Sequence, residues 1–97
     1  MNVEWLPSAL NDLQKLRNFL RSGNPDAARE AATLLRRTAS SLASHPYLGK
    51  AVPDLPGFYD IVIPFRRGGY ILRYKIHDET VFIVVLRHSK EAGFSNE

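Results

Sequence analysis

The sequence predicts an α+β domain of order β-α-α-β-β-β, with a helical hairpin packed on one face of a small antiparallel sheet. Three observations predict it. Between Phe58 and His88 large apolar residues recur at every second position, the period of a strand. Between Ala9 and Leu42 they recur at every third and fourth, the period of a helix face. Chain-breaking groups fall between these runs, at Gly23-Asn24-Pro25, His45-Pro46, Arg66–Gly69 and Asp78-Glu79.

Val3 and Trp5 alternate with Asn2, Glu4 and Leu6, which predicts a short, half-buried first strand. Pro7 opens the first helix, where a missing amide hydrogen does no harm. Ala9, Leu13, Leu16 and Leu20 form its apolar stripe, with Leu10 and Phe19 beside them. Asp12, Lys15, Arg17 and Arg21 are expected on the wet side, and Gly23 stops the helix. Asn24 then caps a second helix, Pro25 fits its first turn, and Asp26 suits the positive end of its dipole. Ala28, Ala31, Leu35, Ala39 and Leu42 make its stripe, and the alanines allow close packing on the first helix. Arg29, Arg36 and Arg37 ride outside. His45-Pro46 ends the helix, because a residue before proline avoids helical angles. Tyr47 to Gly57 reads as a loop, long for a compact domain.

Three strands follow: Phe58 to Phe65, Tyr70 to Ile76 and Val81 to Arg87. With two-residue turns at Arg67-Gly68 and Asp78-Glu79, Phe65 faces Tyr70, Ile63 faces Leu72, Ile61 faces Tyr74 and Tyr59 faces Ile76. On the other side Ile76 meets Val81, Tyr74 meets Ile83 and Leu72 meets Val85. That face is uniformly large and apolar, and the helical hairpin should cover it. The reverse face is mixed. It should carry Asp60, Val62, Pro64, Ile71, Arg73, Lys75, His77, Phe82, Val84, Leu86 and His88, with Asp60 paired to Lys75 across the strands. Pro64 belongs near a sheet edge, or where only the first half of its strand is paired. The first strand takes an outer place, beside the second or the fourth.

The 97 residues suit one domain spanning 1–97, with a single core. No apolar run is long enough to span a membrane, and Met1-Asn2-Val3-Glu4 lacks the charged start of a secretory leader. With no cysteines, disulfides and thiolate metal sites are excluded, which suits a cytoplasmic protein. A net charge of +3 fits an acidic partner or nucleic acid, and equally an ordinary soluble domain. His45, His77 and His88 lack metal-ligand spacing, so neither a metal nor a cofactor is expected. The serines show no nucleophile elbow. Arg66-Arg67-Gly68-Gly69 is either a contact for a target or a plain soluble turn. Val62, Ile71, Phe82, Val84 and Leu86 form an apolar patch that a monomer should hide, so a partner or the tail with Phe94 should cover it.

The chain resembles the RelE/ParE superfamily of bacterial type II toxins. The likeness lies in Val3-Glu4-Trp5 followed by Ala9–Leu13, Asn24–Ala28, His45–Lys50, Gly69–Ile76 and Val84–His88. It implies the fold derived above and a toxin silenced by an antitoxin in a hetero-oligomer. RelE-type members cut ribosome-bound messenger RNA, whereas ParE-type members poison DNA gyrase. Asp60, Val62 and Ile71 stand where the RelE type typically offers two lysines and an arginine, and the close Leu86-Arg87-His88 looks more like the ParE branch. The resemblance therefore implies a gyrase-binding inhibitor neutralised by a ParD-like antitoxin, with no catalytic residue assigned. The alternatives are a RelE-type endonuclease, with His88, Arg73 and Lys75 at the phosphate, and a non-toxic antitoxin-binding domain. Target contacts fall to Arg66, Arg67, Arg73, Lys75, Arg87 and His88. Antitoxin contacts fall to Val62, Ile71, Phe82, Val84 and Leu86, as a groove for a helix or an added strand.

Overall fold

The computed structural model describes residues 1–89. Its elements are β1 (Asn2–Trp5), α1 (Pro7–Gly23), α2 (Pro25–Ser41), β2 (Lys50–Ala51), β3 (Phe58–Phe65), β4 (Gly68–His77) and β5 (Thr80–His88). They build one sheet of order β1-β5-β4-β3-β2, with the two helices against it. The α+β class and the helical hairpin are as expected. The sheet is mixed, however, because β1 lies outermost beside β5 and runs parallel to it. The long loop also contains β2, a two-residue strand on β3. β2 reaches only Tyr59 and Asp60, so Pro64 has no strand on its outer side. That agrees with its missing donor.

Both helices begin as their sequences dictate. Pro7 occupies the first turn of α1, and Asn24 Oδ1 accepts from Ala27 N at 3.1 Å to cap α2. α2 ends at Ser41, four residues before His45, and a turn carries the chain to Pro46. Ala9, Leu13, Ala31, Leu35, Ala39 and Leu42 pack on Ile63, Tyr70, Leu72, Tyr74, Val81, Ile83 and Leu86. Full burial of side chains such as Leu35, Leu72 and Ile83 is worth about 1.5–3 kcal/mol each. Leu10 and Phe19 are not part of this core; Phe19 is 78% exposed.

The first hairpin departs from the expected register by two residues. Tyr59 pairs with Tyr74, Ile61 with Leu72, Ile63 with Tyr70 and Phe65 with Gly68. A two-residue slip keeps every side chain on its face, so the apolar pattern cannot reveal it. The turn is Arg66-Arg67, with Arg66 in the left-handed region at φ 53°. Gly69 is needed for space: a Cβ there would lie 2.6 Å from the Ile63 carbonyl oxygen. One consequence is that Asp60 faces Arg73, not Lys75, and Lys75 faces Phe58.

The second hairpin starts as expected, with Ile76 opposite Val81 and Tyr74 opposite Ile83. A β-bulge then intervenes. Arg73 pairs with Val85 and Leu72 with Leu86, leaving Val84 as the extra residue. Beyond it the alternation of β5 is inverted. Leu86 points into the core, 4% exposed, and His88 sits against Tyr70 with ring centroids 5.5 Å apart. Leu86 and His88 therefore belong to the helix side, not to the open face where simple alternation puts them. α1 secures this stretch, because β1 pairs with β5 only as far as Ile83. Leu6 N donates to Ile83 O at 3.0 Å, Ser8 Oγ to Val84 O at 2.8 Å, and Leu86 N to Asp12 Oδ2 at 3.0 Å. These bonds satisfy backbone groups for which β1 is too short. The expectations for the tail, Lys90 and Phe94 included, lie outside the described residues.

Candidate functional site

Two surfaces emerge from this architecture. The first is a groove of about 650 Å³ between α1, the β3–β4 turn and the end of β5. Leu16, Leu20, Phe65, Tyr70 and Leu86 supply its apolar wall. Lys15, Arg66, Arg67 and His88 supply cationic or titratable groups, and Asp12 is the one carboxylate among the described lining residues. Phe19 stands at its side. Arg66 reaches Glu30 of α2 at 3.0 Å, and its guanidinium lies 5.3 Å from the centroid of the Phe65 ring. Burial pushes the Tyr70 hydroxyl above the usual tyrosine value, and Arg66 partly opposes this.

The second surface is the open face of the sheet. Its central row runs Lys50, Asp60, Arg73, Val85 across β2 to β5. Arg73 Nε and an Nη donate to the two Asp60 carboxylate oxygens at 2.7 and 2.9 Å. The hydrogen bond to Asp60 raises Arg73 above the ordinary guanidinium value, with burial opposing it. Such a two-point grip on a carboxylate is among the stronger polar contacts a side chain makes. Lys75 pairs with Phe58 and lies 5.2 Å from the centroid of its ring. Val62 is 65% exposed, while Ile71, Phe82 and Val84 are half-buried.

The residues predicted from sequence thus divide. Arg66, Arg67 and His88 gather at the groove, together with Leu86; Arg87 borders it too, but its place opposite Ile71 puts its side chain on the open face. Arg73 and Lys75 stay on the open face with Val62, Ile71, Phe82 and Val84. His88 does not share a face with Arg73 and Lys75, so these three do not converge on one phosphate. Among the described residues no group of three His, Asp or Glu side chains could hold a metal ion.

Sequence reasoning missed what α1 contributes. Asp12, Lys15, Leu16, Phe19 and Leu20 all line the groove. The available signal was Phe19, an aromatic residue lying off the stripe. It also missed the role of Tyr74, which is fully buried yet carries a hydroxyl. That hydroxyl donates to Pro46 O at 2.8 Å and accepts from Gly49 N at 2.9 Å, pinning the long loop to the core. Burial holds the Tyr74 hydroxyl above its ordinary value; the Gly49 bond opposes this and Tyr59 adds to it.

Comparison with known proteins gives these surfaces a context. Residues 3–93 match the family described as the ParE toxin of the type II toxin–antitoxin system parDE. The chain is 36% identical over 90 residues to toxin RelE3 of Caulobacter vibrioides, covering 93% of this chain and 96% of that one. It is 33% identical over 87 residues to toxin RelE2 of the same organism, covering 90% and 93%. Its fold is similar to that of a chain from a chromosomal ParDE system of P. aeruginosa, with a TM-score of 0.74 at 15% identity, covering 91% and 95%. It is also similar to a chain of the RelBE2 toxin–antitoxin complex of Mycobacterium tuberculosis, with a TM-score of 0.61 at 29% identity, covering 90% and 95%.

Proposed function

Because the chain belongs to the RelE/ParE superfamily of type II toxins, we propose that it acts by stoichiometric binding to DNA gyrase rather than by cutting RNA. One observation carries this reading. His88 leaves the sheet toward α1, whereas Arg73 and Lys75 leave on the other side. RNA cleavage without a metal needs an acid, a base and cations around one phosphorane. The candidates for those roles are separated by the thickness of the sheet. The carboxylate of Asp60, gripping Arg73, adds a negative charge where a scissile phosphate would have to sit. The match to the ParE family points the same way.

In this reading the target meets the cationic groups at the groove, Arg66, Arg67 and His88, joined by Lys15 and by Arg87 at its edge. A ParD-like antitoxin covers the open-face patch of Val62, Ile71, Phe82 and Val84, and gyrase places the action in the cytoplasm. Solved relatives that are toxin–antitoxin complexes support an antitoxin partner. The names of the relatives RelE3 and RelE2 favour a second reading, a ribosome-dependent endonuclease of messenger RNA.

The deciding experiment pairs two assays on the purified protein. Inhibition of gyrase supercoiling without cleavage of ribosome-bound message is expected. Cleavage without inhibition would establish the second reading, and neither effect beside tight antitoxin binding would leave a domain whose role is to hold its antitoxin. His88→Ala should keep toxicity, weakened at most in part, because His88 is one contact among several. Complete loss of toxicity in a folded His88 variant would count against the gyrase reading.

A further inference from the structure

The open face holds more positive charge than it offers to a ligand. Lys50 and Arg73 flank Asp60 in one row, and Lys75 lies two residues along β4 from Arg73. Three cations on the two strands that flank β3 would make a stripe able to track a nucleic-acid backbone. Asp60 stands in the middle of that stripe. Its two oxygens hold the Arg73 guanidinium at 2.7 and 2.9 Å, and both side chains are about three-quarters covered, at 26% and 27% exposure. A phosphate arriving at Arg73 must therefore break a two-point ion pair and settle beside a carboxylate. Val62, Ile71 and Phe82 surround the pair with apolar surface, which suits a protein neighbour better than a polyanion.

We propose that Asp60 is a specificity residue that excludes nucleic acid from the open face, by occupying Arg73 and opposing Lys50. The surface is thereby reserved for protein. The inference rests on reading this face as a protein-docking surface, and it does not depend on gyrase being the target.

The test is fluorescence anisotropy with a labelled single-stranded RNA oligonucleotide. Asp60→Asn keeps the shape of the side chain and removes its charge. The variant should bind the oligonucleotide at least about ten-fold more tightly than the unaltered protein at low salt. Its dependence on salt should steepen by about 0.7 in log–log slope for each phosphate newly engaged. The gain should vanish in the double variant Asp60→Asn, Arg73→Ala. Unchanged affinity in folded Asp60→Asn, or a gain that survives loss of Arg73, would overturn the proposal. A second measurement needs no variant. When the same RNA is titrated into the unaltered protein, amide resonances around Asp60 and Arg73 should stay still; shifts centred there would overturn the proposal by themselves. Gyrase inhibition is read separately, so failure of one idea does not disguise failure of the other.

Discussion

The groove and the open face are built from the same three strands, yet they differ in kind. In the groove, cationic side chains stand around an apolar wall, with Arg66 held by Glu30 and the Asp12 carboxylate engaged by Leu86 N. On the open face the central cation is matched by a carboxylate, and apolar residues lie exposed or half-exposed around the pair. The bulge at Val84 decides which residues of β5 serve which surface. Before it, Phe82 faces outward; after it, Leu86 and His88 face inward. The lesson is that one extra residue in a strand can separate groups that strict alternation would place together.

Changing the residue count of β5 should break this division most severely. An alanine inserted between Val85 and Leu86 would turn Leu86 and His88 onto the open face. Lost burial of Leu86 and a lost partner for Asp12 should destabilise the protein by about 3 kcal/mol or more, measured by urea unfolding. Next in size is Tyr74→Phe, which strips Pro46 O and Gly49 N of their partner; the expected loss is about 1–3 kcal/mol, with faster amide exchange at Gly49. Deletion of Val84 should cost less, about 1–2 kcal/mol, because it removes the bulge and leaves Leu72 opposite Leu86. A deletion variant whose Leu86 amide and methyl groups become solvent-accessible would refute the register.

The open face can be sharpened separately. Val62→Asp should weaken antitoxin binding about ten-fold, or about 1.4 kcal/mol, with little change in stability, since Val62 is 65% exposed. Arg36→Ala, on the outer side of α2, should leave that affinity within about two-fold. Equal affinities for the two variants would remove Val62 from the interface. The smallest effect concerns alkali. Tyr70 and Tyr74 are both raised above the unfolded value of 10.0. Their folded forms keep a proton that the unfolded chain has lost, so stability is fully present below about pH 10 and declines as pH rises through the folded values. Urea midpoints between about pH 9 and pH 11 should show that decline, and Tyr74→Phe should flatten it.

Much of the fold was legible in the residues themselves. The helix stripes, the Asn24 cap and the three long strands follow from period and punctuation. The core row Leu72, Tyr74, Val81, Ile83 was readable because a strand buried on one face must alternate. The parallel docking of β1 was not, because four residues carry no signal for which edge they join. The hairpin register was lost to a plausible rule: glycine usually marks the turn, but here Gly69 serves close backbone approach and Arg66 takes the positive φ. The bulge was invisible for a different reason. Val84 and Val85 are both acceptable on either face, so the switch in phase leaves no mark on the pattern. The split between the two surfaces follows from that switch, and this is why the predicted site residues do not form one cluster.

Placing β5 between β1 and β4 also has a bearing on how the chain is made. The strand that joins the first segment to the rest is the last described element to be synthesised. A nascent chain lacking Thr80–His88 leaves Asn2–Trp5 without a strand to pair with and the groove without Leu86 and His88. Contacts between such distant segments also form slowly. Pairing of Asn2–Trp5 into the sheet should therefore wait until Thr80–His88 has left the ribosome, giving an antitoxin already in the cell time to meet the chain as it closes.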